Sequence, residues 1–330
     1  MSNQTTTKKL LHPRYWSYWV VVAILRVILM LPYCWLLTIG AGLGWLMERL
    51  DSFKQYIVLA NLKRCFPNLD RKAVEALKTK HYQSMGQGIM ELMMAWWWPQ
   101  EKLDQLGVVK GIEHLEKAQA EGKGVILLAA HITSLELCTY YLARAIPLHI
   151  TYKHEGKKAF LSQYMHEMRR RRSTRLIASH DLRKMLASLR QNQVVWYAPD
   201  QDFGKRNNLF APFFGIKAGG VNAISRICEK TGARVVPFFA RRLPGGEGYE
   251  IEIKPQLEAL PSGGYVEDAT VINRFYEESI RAVPEQYLWF HRRFRSRPVG
   301  EAPFYLGKHH FKKMTREKQK KVIEELFAEK

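Results

Sequence analysis

A histidine and an acid stand five residues apart directly after an apolar stretch of the chain. The stretch covers residues 125–130, and His131 and Glu136 follow it. If the stretch is a buried strand, His131 lies in the turn after it and Glu136 on the next helix, so the two side chains can meet. A carboxylate that orients an imidazole makes it a general base at neutral pH. The spacing predicts that His131 deprotonates a bound nucleophile directly, because the chain has no G-x-S-x-G elbow for a covalent intermediate.

The same spacing leaves a purely structural interpretation open. Thr133 and Glu136 also fit a capping box, in which the glutamate only reaches back to the start of the helix. A histidine that follows a strand is often a hydrogen-bonded turn residue without a chemical role.

Residues 151–184 form a basic block of ten lysines and arginines against three acids. Four consecutive arginines, residues 169–172, surround a predicted helix and cannot all point away from a partner. Arginine forms bidentate pairs with phosphates and carboxylates. The block therefore predicts binding of a phosphate-bearing ligand or an acidic protein, and a solvated helix face is the alternative.

Two further acids, Asp200 and Asp202, follow a second apolar stretch at residues 194–197. Ligand-binding side chains often lie at the carboxyl ends of parallel strands, so Asp200 is predicted to orient a substrate or to pair with the arginines. Alternating acids also occur in metal sites, but no further ligand spacing supports a metal here. An Asx-type turn is the structural alternative. We expect neither a metal nor a cofactor.

Short apolar stretches alternate with helical patterns from residue 108 onward. Strands are predicted at residues 125–130, 148–152, 175–178, 194–197, 235–240, 249–254 and 287–290, with helices at 134–145, 157–172, 181–191, 221–231 and 269–282. This alternation predicts an α/β fold with a mixed, mostly parallel sheet flanked by helices. Residues 48–305 are assigned to this domain, and residues 306–330 to a charged helical tail.

Residues 1–47 are predicted to anchor the protein in a membrane through an N-terminal membrane helix. Residues 27–47 are 21 residues without a charge, about the length that crosses a hydrocarbon core. Pro32 can break a helix, so the segment either spans once or bends into two short helices in one leaflet. A buried soluble hairpin is the remaining alternative. Gly40 and Gly44 form a G-x-x-x-G step, either for contact with another helix or for packing on the chain's own domain.

The composition narrows the class of partner. Of 330 residues, 51 are Lys or Arg and 31 are Asp or Glu, a net charge of +20. This balance excludes a disordered acidic chain and favours an anionic partner: a nucleic acid, an acidic protein or a phosphate-bearing lipid. The four cysteines are far apart in the sequence, which suits neither a disulfide framework nor a zinc site and indicates a reducing compartment.

Four longer strings carry a specific likeness to a known family. They are LLHPRYW from Leu10, NLKRCFP from Asn61, VVWYAPDQDFG from Val194 and PEQYLWFHRRF from Pro284. With them, and with the H-x4-D/E motif at His131, the chain resembles the late acyltransferases of lipid A biosynthesis over residues 10–300, and the lauroyl-transferring members in particular. The family's fold is that of the glycerolipid acyltransferases.

The resemblance implies a bacterial inner-membrane enzyme with its catalytic domain on the cytoplasmic side. It would transfer a fatty acyl chain, such as lauroyl, from acyl carrier protein to the hydroxyl of a hydroxyacyl chain. The acceptor would be a Kdo-bearing lipid A precursor, an anionic phosphorylated glycolipid. His131 and Glu136 would be the catalytic pair, and no cofactor or metal would take part.

The resemblance also implies which residues bind substrate. Arg169 and Arg171 match a basic R-x-R element, and Asp200 matches the acid of a Pro-Asp string. Lys153 is a further candidate, although relatives often carry Tyr-Arg-Pro where this chain has Tyr-Lys-His. Lysine keeps the positive charge but lacks the bidentate fork of arginine.

Two other functions fit parts of the sequence. A glycerolipid or lysophospholipid acyltransferase would share the pair at His131 but lack the four long strings. A membrane-tethered nucleic-acid-binding protein would account for the net charge of +20. It would leave His131 and Glu136 without a role, and the chain has no zinc finger or RNA-recognition string. We therefore expect no nucleic-acid partner.

Overall fold

Helices form the described part of the chain from Trp16 to Asp104, and strands alternate with helices after it. A computed structural model describes residue 13 and residues 16–152, 159–170, 174–202, 204, 208–221 and 223–328. The described helices are α1 Trp16–Ile28, α2 Tyr33–Leu50, α3 Ser52–Cys65, α4 Arg71–Trp97, α5 Gln100–Asp104, α6 Ile112–Ala120, α7 Leu135–Ala145, α8 Ala159–Arg170, α9 Leu182–Arg190, α10 Ala223–Thr231, α11 Tyr265–Ala282, α12 Lys308–Lys313 and α13 Arg316–Ala328. The described strands are β1 Gly107–Lys110, β2 Val125–Leu128, β3 Leu148–Tyr152, β4 Arg175–Ala178, β5 Val194–Tyr197, β6 Asn208–Phe213, β7 Ile216–Val221, β8 Arg234–Arg242 and β9 Tyr249–Ile253.

Seven strands form one sheet in the order β1-β9-β8-β2-β5-β3-β4. The five strands from β8 to β4 run parallel to one another. β9 pairs with β8 in antiparallel orientation and with β1 in parallel orientation. Every residue of β2 is buried, as a central strand covered by helices on both faces requires. The predicted α/β fold with a mixed, mostly parallel sheet is confirmed.

The predicted strands agree best with the β5-β3-β4 end of the sheet. Residues 148–152, 175–178 and 194–197 have the bounds of β3, β4 and β5. The strand predicted at residues 287–290 is wrong: Tyr287 forms one isolated bridge with Ile132, and the backbone then turns tightly. The prediction also missed the edge strand β1 and the β6–β7 hairpin.

The apolar N-terminal run is broken at Pro32. α1 ends at Ile28, and Pro32 is the N-cap of α2, since proline has no N–H to continue a helix. The predicted N-terminal membrane helix is therefore not formed as a single span over residues 27–47, and the break matches the alternative of two shorter helices. No helix in the described part of the chain combines the length and apolar character needed to cross a membrane.

Glycines bring α2 into backbone contact with α4. A Cβ atom on Gly40 would lie 2.7 Å from the Cα atom of Gln87, and one on Gly44 would lie 2.0 Å from the carbonyl oxygen of Tyr82. A Cβ atom on Gly86 of α4 would lie 2.0 Å from the carbonyl oxygen of Gly40. No larger side chain fits between the two helices. The G-x-x-x-G step therefore packs α2 on the chain's own domain.

The core has two halves, one on each face of the sheet. Ile126 and Leu128 of β2 point into the half that also holds residues of α3, α10 and α11. Val125 and Leu127 point into the half that holds residues of α4 and α7. The sheet is thus a layer between helices, and the carboxyl ends of its parallel strands form the edge where the polar motifs lie.

Candidate active site

The register of two neighbouring strands brings His131 and Asp200 together. β2 and β5 are parallel, and Leu128 is paired with Tyr197 at their carboxyl ends. Three residues follow the paired position on each strand, which brings the chain to His131 after β2 and to Asp200 after β5. The Nδ1 atom of His131 lies 2.5 Å from Asp200 Oδ1, and the backbone N–H of His131 donates to Asp200 Oδ2 at 2.9 Å. One carboxylate therefore fixes both the backbone and the ring of the histidine.

Charge makes this pair suitable for proton transfer. Burial acts to lower the pKa of His131, but the Asp200 carboxylate and its hydrogen bond outweigh burial and raise the pKa above the ordinary 6.5. Burial acts to raise the pKa of Asp200, and the bonds from His131 outweigh it and keep that pKa below its usual value. Asp200 is 1% exposed, whereas 26% of the His131 side chain is exposed. Since Nδ1 is bonded to Asp200, Nε2 is the nitrogen available to a substrate.

Hydrogen bonds from three directions hold the turn that carries His131. The carbonyl oxygen of Ala129 accepts from the Tyr276 hydroxyl at 2.9 Å, and that of His131 accepts from the N–H of Leu288 at 3.0 Å. The hydroxyls of Thr133 and Ser84 are 2.7 Å apart, which joins the turn to α4. The imidazole therefore sits on an immobilised backbone, as a positioned base needs.

Glu136 pairs with an arginine instead of with His131. α7 begins at Leu135, and its N-cap Ser134 makes no side-chain capping bond. Glu136 lies in the first turn, and its Oε1 atom accepts from the Nε atom of Arg169 at 2.6 Å and also from Nη2. The capping box is therefore not formed. The predicted contact between His131 and Glu136 is also wrong in this geometry, because the strand register has already placed Asp200 on Nδ1.

The helix that carries Arg169 packs against an aromatic cluster. In α8, the Tyr164 hydroxyl accepts from Trp97 Nε1 at 2.7 Å, and the Tyr164 ring meets Trp96 and Trp19 edge-on. These contacts tie α8 to the end of α4 and to α1. They fix the position of Arg169 beside the site. Its positive charge is close enough to act to lower the pKa of His131.

The structure describes only some of the other residues predicted to bind substrate. Lys153 and Arg171 lie outside the described residues. Arg170 is bonded to Glu167 on its own helix. Asp200 was predicted to orient a substrate or pair with the arginines, but its carboxylate is buried against His131. Of the predicted site residues, the described ones therefore form two pairs, His131 with Asp200 and Glu136 with Arg169.

Asp202 and His291 lock the turn that carries Asp200. Asp202 accepts from the N–H of Gly204 at 2.7 Å, an Asx-type turn, and from the backbone and hydroxyl of Ser296 at 2.6 and 2.9 Å. The N–H of Asp202 donates to Nε2 of His291 at 2.9 Å. Burial lowers the pKa of His291 to about 4, so this imidazole is neutral and accepts the bond. Sequence spacing gave no sign of this contact.

A buried ion pair braces the site from the side of α4. Glu91 of α4 bonds Arg242 at the end of β8 and accepts from the Tyr249 hydroxyl at 2.8 Å. Arg242 also donates to Ser84 Oγ at 3.1 Å, the same hydroxyl that bonds the turn after His131. A buried pair of this kind is strongly destabilised if one partner is removed. The spacing of these residues along the chain gives no sign of the pair.

Comparison with known proteins decides the family. A family model described as bacterial lipid A biosynthesis acyltransferase matches residues 4–296. The chain belongs to this family. The lipid A biosynthesis lauroyltransferase of Escherichia coli (strain K12) is 34% identical to it over 293 residues, covering 88% of this chain and 95% of the relative.

Other relatives carry names for different acyl chains. The lipid A biosynthesis palmitoleoyltransferase of Escherichia coli (strain K12) is 32% identical over 305 residues, which are 91% of this chain and 98% of the relative. The myristoyltransferase of the same strain is 28% identical over 306 residues, 91% of this chain and 94% of the relative. The chain is thus an acyltransferase of lipid A biosynthesis with a lipid A-type glycolipid acceptor. This family assignment replaces the glycerolipid and nucleic-acid alternatives.

Proposed function

We propose that the protein moves a fatty acyl chain from acyl carrier protein to the hydroxyl of a hydroxyacyl chain on a Kdo-bearing lipid A precursor. His131 is the general base, and Asp200 orients it. The observation that carries the proposal is the 2.5 Å contact between His131 Nδ1 and the buried Asp200 carboxylate. Asp200 thus takes the role that the sequence suggested for Glu136.

The reaction needs no covalent intermediate on the protein. Nε2 of His131 takes the proton of the acceptor hydroxyl as the hydroxyl oxygen attacks the carbonyl carbon of the thioester. The Asp200 carboxylate stabilises the imidazolium that forms. The tetrahedral adduct then breaks its C–S bond, and His131 returns the proton to the departing sulfur. The products are the new ester and the free thiol of the carrier, and the histidine is regenerated.

Glu136 and Arg169 serve the anionic acceptor in this proposal. The Arg169 side chain is a quarter exposed, and Glu136 fixes its orientation through Nε and Nη2. A guanidinium held in this way suits a phosphate or a Kdo carboxylate. Lys153 and Arg171 remain proposed substrate contacts because of the family resemblance alone.

Exposed apolar side chains on α1 and α2 support a membrane location. Met30 is 81% exposed and Leu50 74% exposed. Other large apolar side chains exposed on these helices and the bend between them are Trp16, Tyr18, Val20, Val21, Ile24, Val27, Trp35, Trp45 and Leu46. So many exposed apolar side chains on two neighbouring helices mark an interaction site. We place it in the bacterial inner membrane, with the catalytic domain on the cytoplasmic side where acyl carrier protein is available.

Mass spectrometry of a tetra-acylated lipid A precursor tests the proposal. The purified protein is incubated with the precursor and a panel of acyl-carrier-protein thioesters of different lengths. We expect one added acyl group, with lauroyl preferred, and turnover lowered by about 10²–10⁴-fold in His131→Ala. One methylene in an apolar site is worth only about 1–3 kcal/mol, so neighbouring lengths should also react. Transfer to a lysophospholipid but not to the precursor would overturn the proposal.

A further inference from the structure

The C-terminal helices α12 and α13 pack on α3 through buried aromatic residues. The ring of Phe311 is fully buried and lies 5.1 Å from the ring of Tyr56 and 5.5 Å from that of Phe53. The Ser52 hydroxyl at the start of α3 donates to Gln319 Oε1 at 2.9 Å. These helices lie beyond the family match, which ends at residue 296. One side of the tail is therefore fixed to the domain, and the opposite side is presented to the surroundings.

That opposite side is basic overall. Helices α12 and α13 carry seven lysines and arginines against three exposed acids, Glu317, Glu324 and Glu325. The cations that form this basic face are Lys308, Lys312, Lys313, Arg316, Lys318, Lys320 and Lys321, and all seven are exposed. Within the described chain none of them takes part in an ion pair. Like charges this dense repel one another, and an anionic surface would relieve that repulsion.

The tail meets the domain beside an apolar edge at the junction of α2 and α3. Trp45 is 48% exposed, and Leu46 and Leu50 are also exposed in the last turns of α2. Ser52, which bonds Gln319 of the tail, is two residues after Leu50. Lysines beside exposed aromatic and aliphatic side chains are typical of surfaces that lie on anionic bilayers. An acidic protein would match the charge but would leave the apolar edge uncovered.

We propose that the basic face binds the headgroups of an anionic lipid bilayer, beside the apolar edge formed by Trp45, Leu46 and Leu50. The inference rests on the proposed membrane placement of α1 and α2. It adds a second membrane contact, made by a segment outside the family match. The strength of this contact depends on the charge of the lipid.

Vesicle flotation of the full-length protein tests the inference. Vesicles of phosphatidylcholine are compared with vesicles that also contain phosphatidylglycerol. The tail variant is Lys312→Glu/Lys320→Glu/Lys321→Glu. Its matched control is Lys123→Glu/Arg190→Glu/Lys230→Glu, which makes the same charge change at exposed positions just before β2, β5 and β8, at the far edge of the sheet from the site.

We expect the tail variant to lose about 10²-fold in partitioning onto the anionic vesicles, and the control variant to lose far less. The difference should shrink at 0.5 M salt, because the Debye length there is only about 4 Å. Binding to neutral vesicles and acyl transfer to detergent-dispersed precursor should match the unmodified protein in both variants, which also shows that both fold.

Several results would overturn the inference. Equal losses in the two variants, or no preference of the unmodified protein for anionic vesicles, would remove the basic face as a lipid contact while leaving the membrane placement intact. A tail variant with normal vesicle binding but a raised KM for acyl carrier protein would assign the face to the carrier. Failure of the unmodified protein to bind either kind of vesicle would instead remove the proposed membrane placement itself.

Discussion

Replacing Asp200 with asparagine tests which acid orients His131. The substitution keeps the size of the side chain and removes its charge. In the structure Oδ1 faces His131 Nδ1 at 2.5 Å and Oδ2 accepts the backbone N–H of His131 at 2.9 Å. An amide has only one oxygen, so it cannot accept from both groups. Either the backbone N–H faces an NH₂ group, or the ring changes to the tautomer that protonates Nε2.

The size of the effect follows from these contacts. A buried donor left without an acceptor costs about 1–3 kcal/mol. The wrong tautomer and the loss of imidazolium stabilisation remove general-base catalysis, which contributes about 10²–10⁴-fold. We therefore expect Asp200→Asn to lower kcat by at least about 10²-fold, equivalent to about 2.7 kcal/mol of transition-state stabilisation.

The pH dependence of the residual activity gives a second, independent sign. The base form of His131 is required, so activity rises with pH through the pKa of His131. Asp200 holds that pKa above 6.5 in the unmodified protein. Without the carboxylate charge, burial and Arg169 both lower the pKa. The acid limb of the kcat profile should therefore move to lower pH in Asp200→Asn while the plateau falls.

The assay is steady-state acyl transfer from lauroyl-carrier-protein between pH 5 and 9, with the melting temperature measured to show that the variant folds. Glu136→Gln is the comparison, because its carboxylate bonds Arg169 and not His131. It should raise the KM for the lipid acceptor and leave the acid limb unchanged. A variant Asp200→Asn that keeps kcat within about threefold, together with a displaced acid limb in Glu136→Gln, would refute the assignment and restore Glu136 as the orienting acid.

Three further outcomes follow from the same geometry. His131→Ala should lower kcat by about 10²–10⁴-fold with an unchanged circular dichroism spectrum; normal turnover would exclude it as the base. Arg169→Ala should raise the KM for the lipid acceptor more than that for the carrier. Arg170→Ala loses only a bond to its own helix and should change neither KM. Equal small effects of the two variants on both KM values would make the arginines a solvated face. Gly44→Leu should lower the melting temperature strongly, because a Cβ atom there would lie 2.0 Å from a carbonyl oxygen of α4. Gly42→Leu should be tolerated, because nothing lies within 4 Å of a Cβ atom at that position. Equal melting temperatures of the two variants would contradict the packing of α2 on α4.

The sheet was predictable because its central strands are buried on both faces. Apolar stretches such as residues 194–197 have no polar alternation, and helices separate them at regular intervals. The edge strand β1 alternates between partly buried and exposed positions, so its sequence resembles a loop. The strand predicted at residues 287–290 had a suitable composition, but its backbone groups bond the turn after β2 instead of a neighbouring strand.

The orienting acid was not predictable from local spacing. Asp200 is 69 residues from His131 in the chain, and only the adjacency of β2 and β5 makes them neighbours. The sequence does hold a trace of the pairing, since each strand is followed at the same distance by one of the two residues. A spacing of five residues favoured Glu136 because the sequence shows how far apart residues are along a strand and helix, but not the order of strands in a sheet.

In the proposed membrane placement, α4 connects the membrane-facing helix α2 to the active site. α4 touches α2 through glycines on one side, and on another it contacts the turn after His131, where a Cβ atom on Gly88 would lie 2.2 Å from the carbonyl oxygen of Thr133. The helix that packs against the membrane-facing α2 is therefore also the helix that supports the general base. If α2 lies on the bilayer as proposed, this packing holds His131 at a fixed height above it, so the hydroxyl of a lipid acceptor reaches the base while its acyl chains remain in the membrane. The proposed carrier then approaches from the aqueous side.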